Sequence, residues 1–249
     1  MKTNIYSFII TSIAGFSTLL GLIPCFIKNN SKEKIIASSL SFSAGVMLTI
    51  SLLSLIPESL NLFIWKFKLF PATIILAIFI VLGIIFSMKI DQKIEKIITN
   101  NSLYKLGIIS VIALMLHNIP EGITTFVSSN MDTKLGLILA ISIALHNIPE
   151  GISIAIPIYY STNKISKAFI YTLISGFSEL LGAVLAALFL TNYINNFILA
   201  IILALTAGIM IHISTYELIP NALSYNKNKV TIASFIIGSL IMLLCLKLL

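Results

Sequence analysis

The chain has 249 residues, of which 58% are hydrophobic and only 10% are charged. A soluble domain of this size carries far more surface charge, so the composition excludes a soluble globular protein and indicates a polytopic membrane protein. The net charge of +7 does not require a nucleic-acid partner, because the lysines lie at the ends of apolar segments, where they anchor to lipid headgroups.

Eight apolar segments are long enough to cross the roughly 30 Å hydrocarbon core of a bilayer, which takes roughly 20 residues. The first is too long for a signal-peptide core, and Pro24 before Cys25 suits neither signal cleavage nor lipoprotein processing, so we expect a retained helix. The short connections leave no room for a soluble domain, and residues 1–249 are predicted to form a single transmembrane domain. The predicted spans are approximately 4–26, 35–56, 70–90, 105–127, 136–159, 167–190, 196–219 and 230–248.

The lysines predict the orientation of the chain, which contains no arginine. Eleven of the 16 lysines fall in the first, third, fifth and seventh connections, and five fall on the other side. The positive-inside rule then places both termini outside the cytoplasm, in a multi-pass protein of the cell (inner) membrane. Cys25 and Cys245 lie near the ends of the first and last spans, so neither a disulfide nor a thiolate metal site is indicated.

Ionisable side chains occur inside the predicted spans, where they are costly. Insertion scales assign about 2.5–3.5 kcal/mol to a charged group at the centre of a bilayer. No lysine lies deep in a span, so the compensating positive charge must come from protons or from a bound cation. The carboxylates within spans are Glu121, Glu150 and Glu179, and all three histidines of the chain are there as well: His117, His146 and His212.

The sequence LHNIPEGI occurs twice, beginning at Leu116 and again 29 residues later. On a helix, His117 and Glu121 are about 40° apart and Asn118 is about 100° from His117, so the three side chains share one face. The second copy places the same residue types on one face: His146, Asn147 and Glu150.

Each copy also contains a proline followed two residues later by a glycine. Pro120 and Pro149 each leave a carbonyl one turn earlier without its donor, and such interrupted backbone is tolerated mainly where it lines a cavity or is packed by protein. Gly122 and Gly151 allow another helix to approach closely.

Two such faces opposed gather two imidazoles, two amides and two carboxylates. Nitrogen and oxygen donors without thiolate suit divalent zinc, manganese, iron or cobalt. A single His or Glu in a membrane is often a helix-contact residue, and a Pro-Gly pair is usually a kink. Packing alone gives no reason to repeat the same three polar residues. His212 is expected to be a hydrogen-bonded interior residue, since Glu217 does not share its face, and Met47 by itself is typical of core or lipid contact.

At these residues the chain resembles the ZIP (Zrt/Irt-like protein) family of metal transporters, most closely its bacterial ZupT and GufA-like branch. The resemblance covers essentially the whole chain, with eight helices and HNxPEG in the fourth and fifth. It implies transport of a divalent metal into the cytoplasm, zinc first and then iron, manganese or cobalt, by a homodimer in membrane lipid without a cofactor. It implies a two-metal site whose ligands include His117, Asn118, Glu121, His146, Asn147 and Glu150.

The resemblance assigns two further ligands and leaves one family feature out. The sixth helix of the family carries an SGxxEPxGA-like stretch, here SGFSELLGA, which assigns Glu179 to the second metal position while Leu180 replaces the proline. Met47 matches a methionine of the second helix that lies beside the first metal. The third connection, DQKIEKIITNNS, has no His, so a metal-collecting loop is not expected.

A further sequence similarity within the chain supports the inverted repeat of the family. The second span ends in SLIPESL and the seventh in YELIPNAL, which puts Glu58 and Glu217 at opposite ends of oppositely directed helices as vestibule carboxylates. The predicted fold is all-α, with eight transmembrane helices and an inverted repeat of helices 1–3 and 6–8 flanking helices 4–5.

The residues by themselves leave other functions open. An intramembrane metalloenzyme uses the same ligands with a metal-bound water as nucleophile, although the chain has no HExxH motif, no covalent nucleophile and no extramembrane pocket. A proton channel or a metal sensor also uses intramembrane carboxylates. The chain is predicted not to be an enzyme.

Overall fold

The computed structural model describes residues 5–27, 31–97, 102–131, 133–190 and 196–248. These ranges contain helices and no strand, and eight of the helices are long and apolar enough to cross a membrane. The predicted all-α, eight-span fold is therefore confirmed. We number the spans α1 (Ile5–Phe26), α2 (Lys32–Ile64), α3 (Leu69–Ile97), α4 (Ser102–Met131), α5 (Thr133–Thr162), α6 (Ile165–Leu185, continued by a π-helical turn Ala186–Leu190), α7 (Asn196–Ser224) and α8 (Asn228–Leu248).

The eight alternating spans put both described ends of the chain on one side, here called the termini side. The connections α1–α2, α3–α4, α5–α6 and α7–α8 lie on the opposite side, here called the lysine-rich side. Lys2 and Lys28, which were counted in the prediction of orientation, lie outside the described residues.

Several spans are longer than predicted, and two of them, α2 and α7, continue past a proline near their end. A π-helical turn, Ser51–Leu55 in α2 and Ile213–Leu218 in α7, directly precedes the helical segment that contains Pro57 or Pro220. Proline has no N–H to donate, and its ring clashes with the carbonyl four residues earlier in a regular α-helix. The wider π turn relieves that clash, so the two helices continue to Ile64 and Ser224.

The spans form two groups of four. Helices α1, α4, α5 and α6 pack on one another, and helices α2, α3, α7 and α8 form the second group; contacts of α2 with α5, of α4 with α7 and of α3 with α4 join the two groups. The most extensive pairings are α2 with α7, α1 with α5, α4 with α6, α2 with α8, α4 with α5, α3 with α7 and α1 with α6. Exchanging helices 1–3 for 6–8 and helix 4 for 5 converts this set of pairings into itself, as an inverted repeat requires.

In both halves of the inverted repeat, glycines lie at the points where two helices approach each other most closely. A Cβ on Gly122 of α4 would overlap the backbone of α6, and one on Gly151 of α5 would overlap the backbone of α1. In the other group, Gly45 of α2 lies against the backbone of α8, and Gly208 of α7 lies against that of α3. The predicted inverted repeat is therefore confirmed by packing as well as by connectivity.

The sequence carries this repeat over longer stretches than the LIP match. Residues 15–21 of α1 read GFSTLLG and residues 176–182 of α6 read GFSELLG; residues 44–57 of α2 read AGVMLTISLLSLIP and residues 207–220 of α7 read AGIMIHISTYELIP. This register makes Ser54 the equivalent of Glu217, and Asn221 the equivalent of Glu58. The two vestibule candidates are therefore about one turn apart in the repeat rather than equivalent.

Candidate metal centre

The paired motifs face each other in the contact between α4 and α5 and form a cluster of imidazole and carboxylate groups. The Nε2 atom of His117 lies 3.1 Å from Glu121 Oε1 and 3.2 Å from Glu150 Oε1. The Nε2 atom of His146 lies 3.1 Å from Glu121 Oε1. The most exposed of these four side chains is only 8% accessible. The predicted gathering of both motifs in one buried place is what the structure shows.

The spacing of these atoms matches the coordination sphere of one metal ion. One ligand atom from each of His117, Glu121 and His146 lies within 4.8 Å of the others. Ligands about 2.0–2.2 Å from a tetrahedral zinc ion are themselves about 3.3–3.6 Å apart. The ligand atoms that are farthest apart therefore need to approach each other by about 1 Å to reach these separations.

The chemistry of Glu150 shows why this cluster needs a cation. Among the described residues, neither of its carboxylate oxygens has a hydrogen-bond partner, and the side chain is fully buried. A buried carboxylate without a counter-charge is strongly destabilising. The neighbouring imidazole of His117 supplies positive charge only when it is protonated, whereas a divalent cation between the two would satisfy both.

The asparagines present oxygen atoms to the same region. Asn118 donates a hydrogen bond from Nδ2 to the Ser175 carbonyl of α6 at 3.3 Å, and Asn147 donates from Nδ2 to the Ala14 carbonyl of α1 at 2.9 Å. These bonds occupy the amide nitrogens. Within the described part of the chain, both Oδ1 atoms are buried without a hydrogen-bond partner. An amide held in this way offers lone pairs to a cation, which explains why asparagine, rather than a second carboxylate, suits the position.

Glu179 of α6 joins the cluster through the second motif. Its side chain is fully buried, and its Oε2 atom accepts a hydrogen bond of 2.8 Å from Asn147 Nδ2. Its Oε1 atom has no hydrogen-bond partner among the described residues. Leu180, which replaces the expected proline, leaves α6 continuous from Ile165 to Leu185. The predicted ligand is therefore next to the motifs, and the kink associated with the family's proline is not seen.

The prolines and glycines of the motifs behave differently from each other. The predicted close approach at Gly122 and Gly151 is confirmed, since a Cβ there would overlap the carbonyl oxygens of Glu179 and of Thr18. Each proline lacks an N–H, so the carbonyl one turn earlier has no N–H donor from its own helix, as predicted, while α4 and α5 stay α-helical through both prolines. The buried motif residues His117, Asn118, His146 and Asn147 beside the prolines hold these segments against other helices.

Two further candidates lie outside the imidazole–carboxylate cluster. Met47 is fully buried in the hydrophobic core that also contains Leu114 of α4 and Ile154 of α5, and its role as a ligand remains a prediction. His212 lies in α7, where its Nδ1 atom is 2.9 Å from the Ser87 hydroxyl of α3. This is the hydrogen-bonded interior histidine that the sequence predicts.

A cavity of about 80 Å³ lies beside the cluster. Its lining includes Glu121 and His146 of the cluster, Thr206 of α7 and Glu58, which belongs to the part of α2 nearer the termini side. This volume is large enough for a few water molecules. Glu58 is exposed, as expected of a vestibule residue, whereas Glu217 is buried in the π turn of α7 with 7% of its surface accessible.

The motifs do not reveal five residues that hold or line the site: Ala14, Thr18, Ser43, Ser175 and Thr206. Two of them act through backbone carbonyls, which no residue type encodes. Thr18, Ser175 and Thr206 fall inside the repeated stretches of α1, α6 and α7 or next to them. Alignment of those stretches with each other is the signal that finds them.

Known proteins match this chain in sequence. The family model described as ZIP zinc transporter matches residues 95–246. The zinc transporter ZupT of Campylobacter jejuni is 36% identical over 278 residues, which cover 97% of this chain and 95% of that protein. The chain belongs to the ZIP family.

Other members of the ZIP family match over the same extent. The zinc transporter ZupT of Oceanobacillus iheyensis is 35% identical over 268 residues, which cover 100% of both chains. The zinc transporter ZupT of Chlorobium phaeovibrioides is 35% identical over 257 residues, which cover 97% of each. The resemblance seen at the HNIPEG motifs therefore extends through all eight spans.

Proposed function

We propose that this ZIP family member transports divalent cations, zinc first, across the membrane into the cytoplasm. The observation that carries the proposal is the buried cluster of His117, Glu121, His146 and Glu150, beside a cavity that Glu121, His146 and Glu58 line. A buried set of nitrogen and oxygen donors next to a cavity is suited to taking up a cation and moving it. The protein is a transporter and not an enzyme.

The site has two adjacent metal positions in this proposal. The first uses the imidazoles of His117 and His146 with Glu121 and Glu150, and the family resemblance adds Met47 of α2 as a further ligand. The second uses the two orphaned amide oxygens and Glu179, and it shares Glu121 and Glu150 with the first. Imidazole nitrogen favours zinc and the later transition metals, whereas an oxygen-rich position accepts manganese and iron as well. Iron, manganese and cobalt are therefore secondary substrates.

The surroundings of the chain follow from its surface and charge. Helices α3 and α8 expose large apolar side chains over most of their length, Ile78 and Leu82 in the first and Ile236 and Leu240 in the second. These faces contact lipid in the cell (inner) membrane, and the lysine-rich side faces the cytoplasm. The functional unit is a homodimer, as the family resemblance implies, and the single eight-span unit of residues 1–249 forms each protomer.

The test is zinc movement by purified protein in sealed vesicles with an entrapped zinc-sensitive dye. We expect zinc added outside to raise the dye signal in vesicles that contain the protein, and not in protein-free vesicles. A pH-sensitive dye in parallel vesicles separates the rival functions. Proton flow without zinc entry would identify a proton channel, and zinc binding by the solubilised protein without zinc entry would identify a sensor. Either result would overturn the proposal.

A further inference from the structure

The two halves of the metal centre are related residue by residue. Asn118 bonds to the carbonyl of Ser175, and Asn147 bonds to the carbonyl of Ala14. The two asparagines occupy the same position in the two motifs, and Ala14 and Ser175 each stand one residue before the repeated GFSxLLG stretch. The repeat therefore relates α4 with α6 to α5 with α1 at the level of single hydrogen bonds.

This register makes Thr18 of α1 the counterpart of Glu179 of α6. Gly122 of α4 lies against the carbonyl of Glu179, and Gly151 of α5 lies against the carbonyl of Thr18. The backbone at the two positions therefore approaches the two motifs in the same way. The side chains at these positions leave the helix from equivalent places, one as a carboxylate and the other as a hydroxyl.

The crossing of α1 and α6 provides equivalent space for both side chains. A Cβ on Gly15 would lie 3.3 Å from the Oε2 atom of Glu179, and a Cβ on Gly176 would lie 3.3 Å from the Oγ1 atom of Thr18. The Glu179 side chain of α6 thus lies beside Gly15 of α1, and the Thr18 side chain of α1 lies beside Gly176 of α6. The space over Gly176 admits a longer side chain at position 18, as the space over Gly15 admits Glu179.

The two residues use that space differently. Glu179 reaches the second motif and accepts a hydrogen bond from Asn147 at 2.8 Å. The Thr18 hydroxyl is fully buried and turns back to its own helix, donating to the Gly15 carbonyl at 2.5 Å. Asn147 thus donates to the carboxylate of Glu179, whereas the residue that the repeat relates to Glu179 on the Asn118 side is the neutral Thr18.

The difference alters the charge balance of the centre. Glu121, Glu150 and Glu179 supply three negative charges, whereas two divalent cations carry four positive charges. A carboxylate at position 18 would complete the neutralisation. A neutral threonine leaves one uncompensated positive charge when both positions are filled, and uncompensated charge is costly in a buried site.

We propose that Thr18 is a specificity-determining residue of the metal centre: by standing where the repeat places Glu179, it leaves the second metal position anionic on one side only. The second cation is held weakly enough to leave, and its retention depends on Glu179. This inference rests on the proposed function, since it assumes that the centre binds the transported metal.

The experiment exchanges the two residues and measures zinc affinity in detergent solution by competition with a chelating dye. We expect Glu179→Thr to raise the apparent Kd of the weaker zinc position about tenfold or more, which corresponds to about 1.4 kcal/mol or more. The double variant Thr18→Glu with Glu179→Thr is expected to return that Kd to within about threefold of the wild-type value. The double variant Thr18→Gln with Glu179→Thr, which has similar volume without charge, is expected to remain weak. Size-exclusion elution monitors folding of each variant.

The outcomes separate this inference from the proposed function. If the wild-type protein binds no zinc, the proposed function fails. If the wild-type protein binds zinc but the charge-exchanged variant, folded and monodisperse, stays as weak as Glu179→Thr, Thr18 is not the counterpart of Glu179 and the inference is wrong. Equal restoration by the glutamine variant would also overturn it, because packing and not charge would then explain the recovery. An unchanged affinity in Glu179→Thr would remove the premise that the second position depends on that carboxylate.

Discussion

The inverted repeat relates the motif of α4 to the motif of α5. The two motifs nevertheless differ in how the helices α2 and α7 pack against them. On the α5 side, Ser43 of α2 donates a hydrogen bond of 2.6 Å to the Pro149 carbonyl. On the α4 side, the equivalent residues are Thr206 of α7 and Pro120, and both line the cavity that Glu58 also lines. The same backbone symmetry thus accommodates a closed contact at one place and an open cavity at the other.

The comparison shows which features an inverted repeat preserves. Glycine contacts, π turns and the amide-to-carbonyl bonds recur in both halves because they belong to the backbone. Outside the HNIPEG motifs, the ionisable side chains near the centre do not recur: His212 of α7 stands where α2 has Thr49, and Glu179 stands where α1 has Thr18. A transporter must bind on one side and release on the other, so unequal side chains on equal backbones are what a directional path requires.

The largest expected effect concerns the carboxylates that both halves share. Replacing Glu121 or Glu150 by Ala removes a charge that compensates the cation in a site of low dielectric constant. We expect initial zinc uptake below about a tenth of the wild-type rate, which corresponds to a loss of about 1.4 kcal/mol or more. Uptake into dye-loaded vesicles measures it at equal protein content.

The matched control for that measurement is Glu33→Ala. Glu33 is a surface carboxylate whose ion pair with Lys227 spans 3.3 Å, and surface pairs contribute little to stability. Its uptake should equal that of wild type. Near-normal uptake in both Glu121→Ala and Glu150→Ala would refute the assigned site.

The two asparagines offer the next test of unequal halves. Asn147→Ala removes the hydrogen bond to Glu179 as well as an amide oxygen, whereas Asn118→Ala removes an oxygen from the side that lacks a carboxylate. We expect zinc affinity to fall about tenfold in the first variant and about threefold in the second, since hydrogen bonds to charged groups contribute about 1.5–3 kcal/mol. Competition titrations measure the zinc affinity of both variants. Equal losses of affinity would show that the half of the site with Glu179 does not bind zinc differently from the other half.

A smaller effect is expected where the second helix group touches the motifs. Ser43→Ala removes a buried hydrogen bond and leaves the Pro149 carbonyl without that donor, which costs about 1–3 kcal/mol. For a chain of this size, each 1 kcal/mol lowers the unfolding midpoint by about 2–4 °C. Thr206→Val preserves shape at the cavity wall and should lower the midpoint less. Thermal unfolding in detergent measures both midpoints. A larger decrease for Thr206→Val than for Ser43→Ala would contradict the assignment of a closed contact to the α5 side and of a cavity to the α4 side.

The smallest effect is expected at Glu58 in the lining of the cavity. Glu58 is exposed and raises the local cation concentration without holding the ion, so Glu58→Gln should raise the apparent KM for zinc about two- to threefold. The effect should weaken at high salt, because exposed charges are screened over about 8–10 Å at physiological ionic strength. Initial rates at two salt concentrations test it.

Glu217 supplies the contrasting variant for that measurement. It is buried in the π turn of α7, so salt should not screen it in the same way. Glu217→Gln should lower the maximal rate with little change in KM at either salt concentration. A rise in KM for Glu217→Gln with an unchanged KM for Glu58→Gln would reverse the assigned sides.

The sequence by itself determined the class and the spans of this protein, and it predicted the central ligands. Long apolar segments admit only helices in a membrane, because each backbone polar group must be satisfied within its own segment. The doubled HNIPEG motif places three polar side chains on one face of each of two helices through the helical period alone. These features depend on the geometry of single helices, which the order of residues along the sequence determines.

Only the tertiary structure decided how the polar groups are partnered. The asparagine amides are oriented by the carbonyls of Ser175 and Ala14, which belong to other helices and have no side-chain signature. Regular winding through Pro120 and Pro149, and the π turns before Pro57 and Pro220, depend on what packs around each helix. The burial of Glu217 and the exposure of Glu58 likewise follow from the way α2 and α7 meet the motifs. Contacts between helices distant in sequence determine these features, and no periodicity within one helix encodes them.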